Sequence, residues 1–214
     1  MSKLKYHFLI IAVMFITACE KKHSDNNITN NQPFVSHLDT KGIEAYLPQE
    51  ILKRESFVVY KKEEDGTEKH LRIYPNNGVF EGSYNGKEYT SDVFQIRLID
   101  ESNINFLLEI NGSALYNDKG EIEKSLIALL MPGNQTGSSG VSLTFEENEP
   151  ISGIYERYEK SIVLLGKTFL DVYTGGSSLT GYEKFSEISI NSNEGIVSFR
   201  DIENKLWVFD RFED

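Results

Sequence analysis

A single cysteine among 214 residues has no partner within the chain, so neither an internal disulfide framework nor a thiolate zinc or iron–sulfur site can form. Histidine is scarce as well. Of His7, His23, His37 and His70, only His70 falls where the pattern is that of a folded domain, which excludes a histidine-rich metal site there. Its outward alternation beside Arg72 reads as a surface residue. No G-x-S-x-G elbow occurs, so serine-hydrolase chemistry has no support. Positive charge is short too: 22 Lys and Arg face 33 Asp and Glu, a formal net charge of −11. Nucleic acid is thereby excluded as a partner, because gripping phosphates needs Lys and Arg to neutralise them. No uninterrupted apolar run reaches the roughly 20 residues of a spanning helix. The sequence calls for no cofactor and no metal.

The first 19 residues do carry a signal. Lys3 and Lys5 precede an apolar stretch from Phe8 to Ile16, and Thr17 and Ala18 follow, the order of a signal peptide spanning residues 1–18. The sole cysteine comes next. Ile16-Thr17-Ala18-Cys19 resembles the lipobox of bacterial lipoproteins, in which two small residues admit the peptidase and the thiol accepts a diacylglyceryl group. The resemblance implies cleavage before Cys19, a thioether-linked lipid on Cys19 and an acylated amino terminus, palmitate being the ordinary acyl type. More than one chain gives stable anchoring where a single chain does not. Processing removes Lys3 and Lys5 and leaves 20 basic groups against 33 acidic ones, a formal charge of −13, so anionic lipid offers no attraction and the lipid itself must hold the chain. Glu20 stands where an aspartate would imply inner-membrane retention, so the resemblance implies the outer membrane. The order Glu20-Lys21-Lys22 departs from the lysine-then-acid export signal of surface lipoproteins and leaves open the periplasmic and the surface face.

From Glu20 to about Ser36 the composition is Asn, Ser, Lys and Asp with little to bury, which predicts a disordered polar tether over residues 19–37 and a β-rich globular domain over 38–214. Ile43, Leu47 and Ile51 recur every four residues and predict a short helix or two turns, beginning near Pro48. After Arg54 the period is two: Leu71 and Ile73, Phe94, Ile96 and Leu98, Val141, Leu143 and Phe145, Ile188 and Ile190, Val197 and Phe199, Trp207 and Phe209. Asp65-Gly66, Asn77-Gly78, Asn85-Gly86, Asn111-Gly112, Lys119-Gly120 and Glu194-Gly195 read as turns between these runs, with Tyr84-Asn85-Gly86-Lys87 the clearest hairpin. Eleven or twelve strands at this spacing predict an all-β fold, a single antiparallel sandwich or barrel of about eleven strands with a short helix or turn near its start. Trp207, on the last strand, reads as a core plug.

The closing segment, Glu187-Ile188-Ser189-Ile190, Gly195 through Asp201 and Lys205-Leu206-Trp207-Val208, is similar to that of uncharacterised lipoproteins from Bacteroidota. This resemblance implies a location and no activity.

No catalytic constellation emerges, so the predicted role is non-catalytic: a membrane-anchored envelope lipoprotein that binds or assists an envelope protein or glycan. Two Gly/Ser-rich loops, 132–140 and 174–181, flanked by Tyr173 and Tyr182, are the candidate rim of a glycan or peptide site, aromatic faces supplying contact area and small polar residues adapting to it. The third reading is an envelope-polymer hydrolase with paired carboxylates, which needs acids converging in a cleft. Asn117 to Glu121 and Glu146 to Glu149 read as solvated turns rather than cation loops.

Overall fold

The computed structural model describes residues 33–54, 56–101, 106–132, 139–147, 149–176, 187–201 and 203–214. Two short helical pieces, α1 (Lys41–Tyr46) and a 3-10 turn (Gln49–Leu52), follow a two-residue strand β1 (His37–Leu38). Twelve strands come after them: β2 (Phe57–Lys62), β3 (Glu68–Tyr84), β4 (Lys87–Ile99), β5 (Phe106–Tyr116), β6 (Ile122–Pro132), β7 (Ser139–Glu146), β8 (Glu149–Ile154), β9 (Arg157–Leu164), β10 (Lys167–Gly175), β11 (Ile188–Asn191), β12 (Gly195–Arg200) and β13 (Leu206–Glu213). The fold is therefore all-β, as the alternation predicts.

All thirteen strands belong to one sheet in the order β8-β7-β6-β5-β4-β3-β2-β13-β12-β11-β10-β9, with β1 added in parallel to β4. The two ends of this order, β8 and β9, are consecutive in the chain and joined by Tyr155 and Glu156 alone, so the sheet has to curl until its ends meet. The meeting is close. A Cβ built on Gly175 of β10 would lie 1.9 Å from the carbonyl oxygen of Gly140 in β7, a contact only glycine permits, although no ladder joins the two strands.

Inside the curl one cluster gathers Leu71, Ile73, Phe94, Ile96, Leu98, Val141, Leu143, Phe145, Ile188, Ile190, Phe199 and Trp207. Alternation supplied these side chains, and removing them from water drives the closure at roughly 25 cal/mol per Å² of apolar surface. Trp207 is a core residue, with its indole N–H donated to Asp201 at 2.8 Å. Tyr60, wholly buried, donates its hydroxyl to the Ile196 carbonyl at 2.9 Å, and burial pushes its pKa up. Ile43, Leu47 and Ile51 close the cluster as their spacing of four implies, but the helix sits earlier than predicted. It runs over Lys41–Tyr46, and Leu47 turns extended because the following proline disfavours helical backbone; only a 3-10 turn follows Pro48.

Two predicted turns are not turns. Asn77-Gly78 lies inside β3 and Asn111-Gly112 inside β5, so both strands run straight through. Gly112 is there for space: a Cβ would come within 2.0 Å of the Phe94 ring. Asn85-Gly86 does form the predicted turn, at φ of 50° and 75°. Val197 and Phe199, predicted to share a face, point into different clusters, because the register between β11 and β12 slips from Ser189↔Ser198 to Ile190↔Ile196 and leaves Val197 as an extra residue.

That slip serves a second layer. The N-terminal half of β10 leaves the sheet with β9, and Phe169 and Val172 pack on Val197, Leu206 and Val208, the face of β12–β13 opposite the main core. Lys167 latches the hairpin through its ammonium to the Asp210 carboxylate at 2.7 Å. Elsewhere in the sheet β4 parts from β5 beyond Val93↔Ser113, and β1 fills the fork at Thr90 and Ser91. Phe34 stacks on Tyr116 at 5.6 Å and Val35 exchanges hydrogen bonds with the Tyr116 hydroxyl. Residues 34–37, read as the end of the tether, are thus part of the folded unit.

Candidate functional site

Where the sheet ends meet, four segments bring tyrosines together beside a phenylalanine of a fifth. Tyr46 ends α1, Tyr155 belongs to the link between β8 and β9, Tyr158 sits on β9 and Tyr173 on β10, while Phe145 of β7 forms the floor. Tyr155 meets Tyr173 edge-on with ring centres 5.1 Å apart, Tyr158 leans on Tyr173 at 4.9 Å, and Tyr46 meets Phe145 at 5.1 Å. Tyr173 and Tyr46 are partly buried, whereas Tyr155 and Tyr158 expose 38% and 46% of their surface. The set forms an open aromatic strip rather than a plugged core.

Asp171 gives the strip its polar group. Its backbone is left-handed, φ 50°, inside a strand, where a residue other than glycine costs free energy. The conformation is the point at which β10 turns out of the sheet: Leu170 and Asp171 are both exposed between buried Phe169 and Val172, and the Asn191 amide donates to the Leu170 carbonyl at 3.1 Å. The Asp171 carboxylate accepts the Tyr158 hydroxyl at 2.6 Å. This bond, together with desolvation and the charge itself, pushes the Tyr158 pKa up to about 12. Tyr46 is raised by burial first and then by its neighbours Tyr173, Asp171, Glu149 and Tyr158; Tyr173 is raised by burial, Tyr155, Asp171 and Glu149. Tyr46, Tyr158 and Tyr173 therefore keep their protons near neutrality, and the carboxylates beside them form a negatively biased corner.

Tyr173, predicted as a rim residue, is therefore at the centre of the strip. Its proposed partner Tyr182 and the lipidation residue Cys19 lie outside the described residues, as do most of the two Gly/Ser loops. The ends of those loops do meet, through Gly140 and Gly175. Tyr46, Tyr155, Tyr158 and Asp171 went unnoticed in the sequence. One local cue existed: Phe169-Leu170-Asp171-Val172 breaks the period of two, with two outward residues between two inward ones.

A second hollow, about 340 Å³, lies between β9 and β11–β12 and is lined by Arg157, Glu187, Ser198, Arg200 and Leu206. Glu187 binds both arginines, at 2.6 and 3.2 Å, so their charge is spent within the hollow. Among the described residues no group of three or more His, Cys, Asp or Glu could hold a metal ion. Asp65, Glu68, Glu101 and Asp210 shift down through bonds from basic or hydrogen-bonding neighbours, the reverse of what a general acid needs.

No protein family, no curated protein and no solved structure matches the chain.

Proposed function

We propose that this chain is an exported, lipid-anchored domain of the bacterial cell envelope that works by binding, and that the tyrosine strip at the sheet seam is its binding surface for a glycan or peptide. The observation that carries the binding reading is the convergence of Tyr46, Tyr155, Tyr158 and Tyr173 around Asp171, with two of the rings open to solvent. Exposed aromatics give a large contact area at low entropic cost, and a strained residue beside them is the kind of feature that binding maintains. The lipobox-like Ile16 to Cys19 supports the anchor and its outer-membrane address. Fourteen residues lie between Cys19 and Phe34, the first aromatic packed on the fold, and the fifteen steps from one to the other allow a reach of about 50 Å at about 3.3 Å per residue.

Expressed in cells, Cys19→Ala should lose lipid labelling and move from the membrane to the soluble fraction; continued labelling overturns the anchor. The double variant Tyr155→Ala, Tyr158→Ala tests the strip. With the fold retained, it should lose whatever envelope component the lipidated protein captures, and unchanged capture moves the binding surface elsewhere.

A further inference from the structure

We infer that the seam receives a guanidinium group, an arginine of a partner polypeptide stacked on the exposed faces of Tyr155 and Tyr158 and accepted by the carboxylate of Asp171. The inference rests on the reading of the strip as a binding surface.

Charge is the first argument. Most acids near a base in this fold are already bound by it: Asp210 by Lys61, Lys167 and Arg211, Glu187 by Arg157 and Arg200, Glu109 by Arg97. Asp171 and Glu149, which face the tyrosines, have no ion pair among the described residues. One oxygen of Asp171 accepts the Tyr158 hydroxyl at 2.6 Å, and among the described residues nothing donates to the other, which is left for an incoming donor. The carboxylates that push the Tyr46, Tyr158 and Tyr173 pKa values up mark a corner that attracts positive charge, and the formal charge of −13 of the processed chain, 20 basic groups against 33 acidic ones, steers cations toward it.

The rings are the second argument. This chain repeatedly covers aromatic faces with its own cations: Lys69 on Trp207, Arg72 on Phe57 and Tyr74, Lys87 on Phe34, Lys167 on Phe209. Among the described residues no cation covers any of the four seam tyrosines. A cation over an aromatic face is favourable, more so as water is excluded. The strip is shallow, which suits a flat group. Guanidinium is planar, weakly hydrated and able to fork onto a carboxylate while stacked, whereas an ammonium is a hydrated point charge that gains more from an enclosing cage.

The test is an NMR titration of the full-length mature protein with a capped Gly-Arg-Gly tripeptide, alongside the same peptide carrying norleucine or lysine, and a neutral oligosaccharide. The arginine peptide should shift the ring signals of Tyr155, Tyr158 and Tyr173, bind at least about tenfold more tightly than the norleucine peptide and weaken as salt screens the charge. Asp171→Asn keeps the size and suits a left-handed backbone, since Asn tolerates positive φ; it should weaken the arginine peptide about tenfold with an unchanged melting temperature. Equal binding of the arginine and norleucine peptides, or no loss in Asp171→Asn, overturns the inference. Shifts of the same rings by the oligosaccharide alone overturn it while leaving the binding surface in place. No shift with any probe removes both.

Discussion

Two hairpins close through nearly the same turn and behave differently beyond it. Asn85-Gly86 joins β3 to β4 at φ of 50° and 75°, and Leu165-Gly166 joins β9 to β10 at 49° and 75°. The first hairpin keeps one unbroken register from Tyr84↔Lys87 up to Arg72↔Ile99 and extends beyond the core with Val79 and Phe80 exposed. The second keeps its register too, but skips the pair at Asp171, leaves the sheet there and folds over β12–β13. Asparagine at a left-handed position is the local choice; leucine is not, and it is held there by the docking of Ile162, Leu164 and Phe169 beside it. One hairpin is thus shaped by its own turn and the other by what it lies upon.

Breaking the docked layer should have the largest effect. Phe169→Ala empties a site 3% exposed and should cost about 3–5 kcal/mol in urea unfolding, whereas Phe80→Ala, 45% exposed on the other hairpin, should stay within about 0.5 kcal/mol. Comparable losses at both sites would erase the contrast.

Acid should separate the hairpins next. Burial alone would raise the Asp210 pKa, but hydrogen bonds from Lys167, Lys61 and Arg211 outweigh it and hold the carboxyl well below its ordinary range. A group whose folded pKa is depressed stabilises the fold above its unfolded pKa, about 3.9, and that contribution is lost as pH falls through the folded value. Amide exchange in β9 and β10 should therefore accelerate below about pH 4, corrected for intrinsic rates, more than near Asn85-Gly86. Asp210→Asn should remove the difference.

The smallest effect is at the turns. Leu165→Asn relieves a left-handed leucine and should stabilise by up to about 1 kcal/mol, while Asn85→Leu should lose a similar amount. A destabilised Leu165→Asn would mean that the exposed leucine contributes to packing more than its backbone costs.

Much of this architecture was legible because its cause is local. A period of two over Phe94 to Leu98 or Val141 to Phe145 states which face is wet, and the structure buries those residues. Punctuation was less dependable. Asn-Gly serves a turn at 85–86 but passes through strands at 77–78 and 111–112, where the glycine makes room for Phe94 or simply continues the ladder. The Leu165-Gly166 turn escaped notice because leucine is not a turn residue. Of the seam, Tyr173 was picked out by its neighbouring loop, but Tyr46 lies more than a hundred residues away in a helix, and nothing local links it to Tyr155, Tyr158 or Asp171.

By itself the sequence determined the class of fold, the faces of most strands, the inward placing of Ile43, Leu47 and Ile51 and the likeness of Ile16 to Cys19 to a lipobox, since each depends on residues within a few positions of one another. The tertiary structure alone decided the strand order, the curling that brings β7 to β10, the docking of the β9–β10 hairpin and the left-handed bend at Asp171. The physical reason is that burial rewards contacts between residues far apart in the chain. Those contacts can hold a backbone in a conformation its own residues disfavour, and at the seam this gathers tyrosines that no local pattern joins.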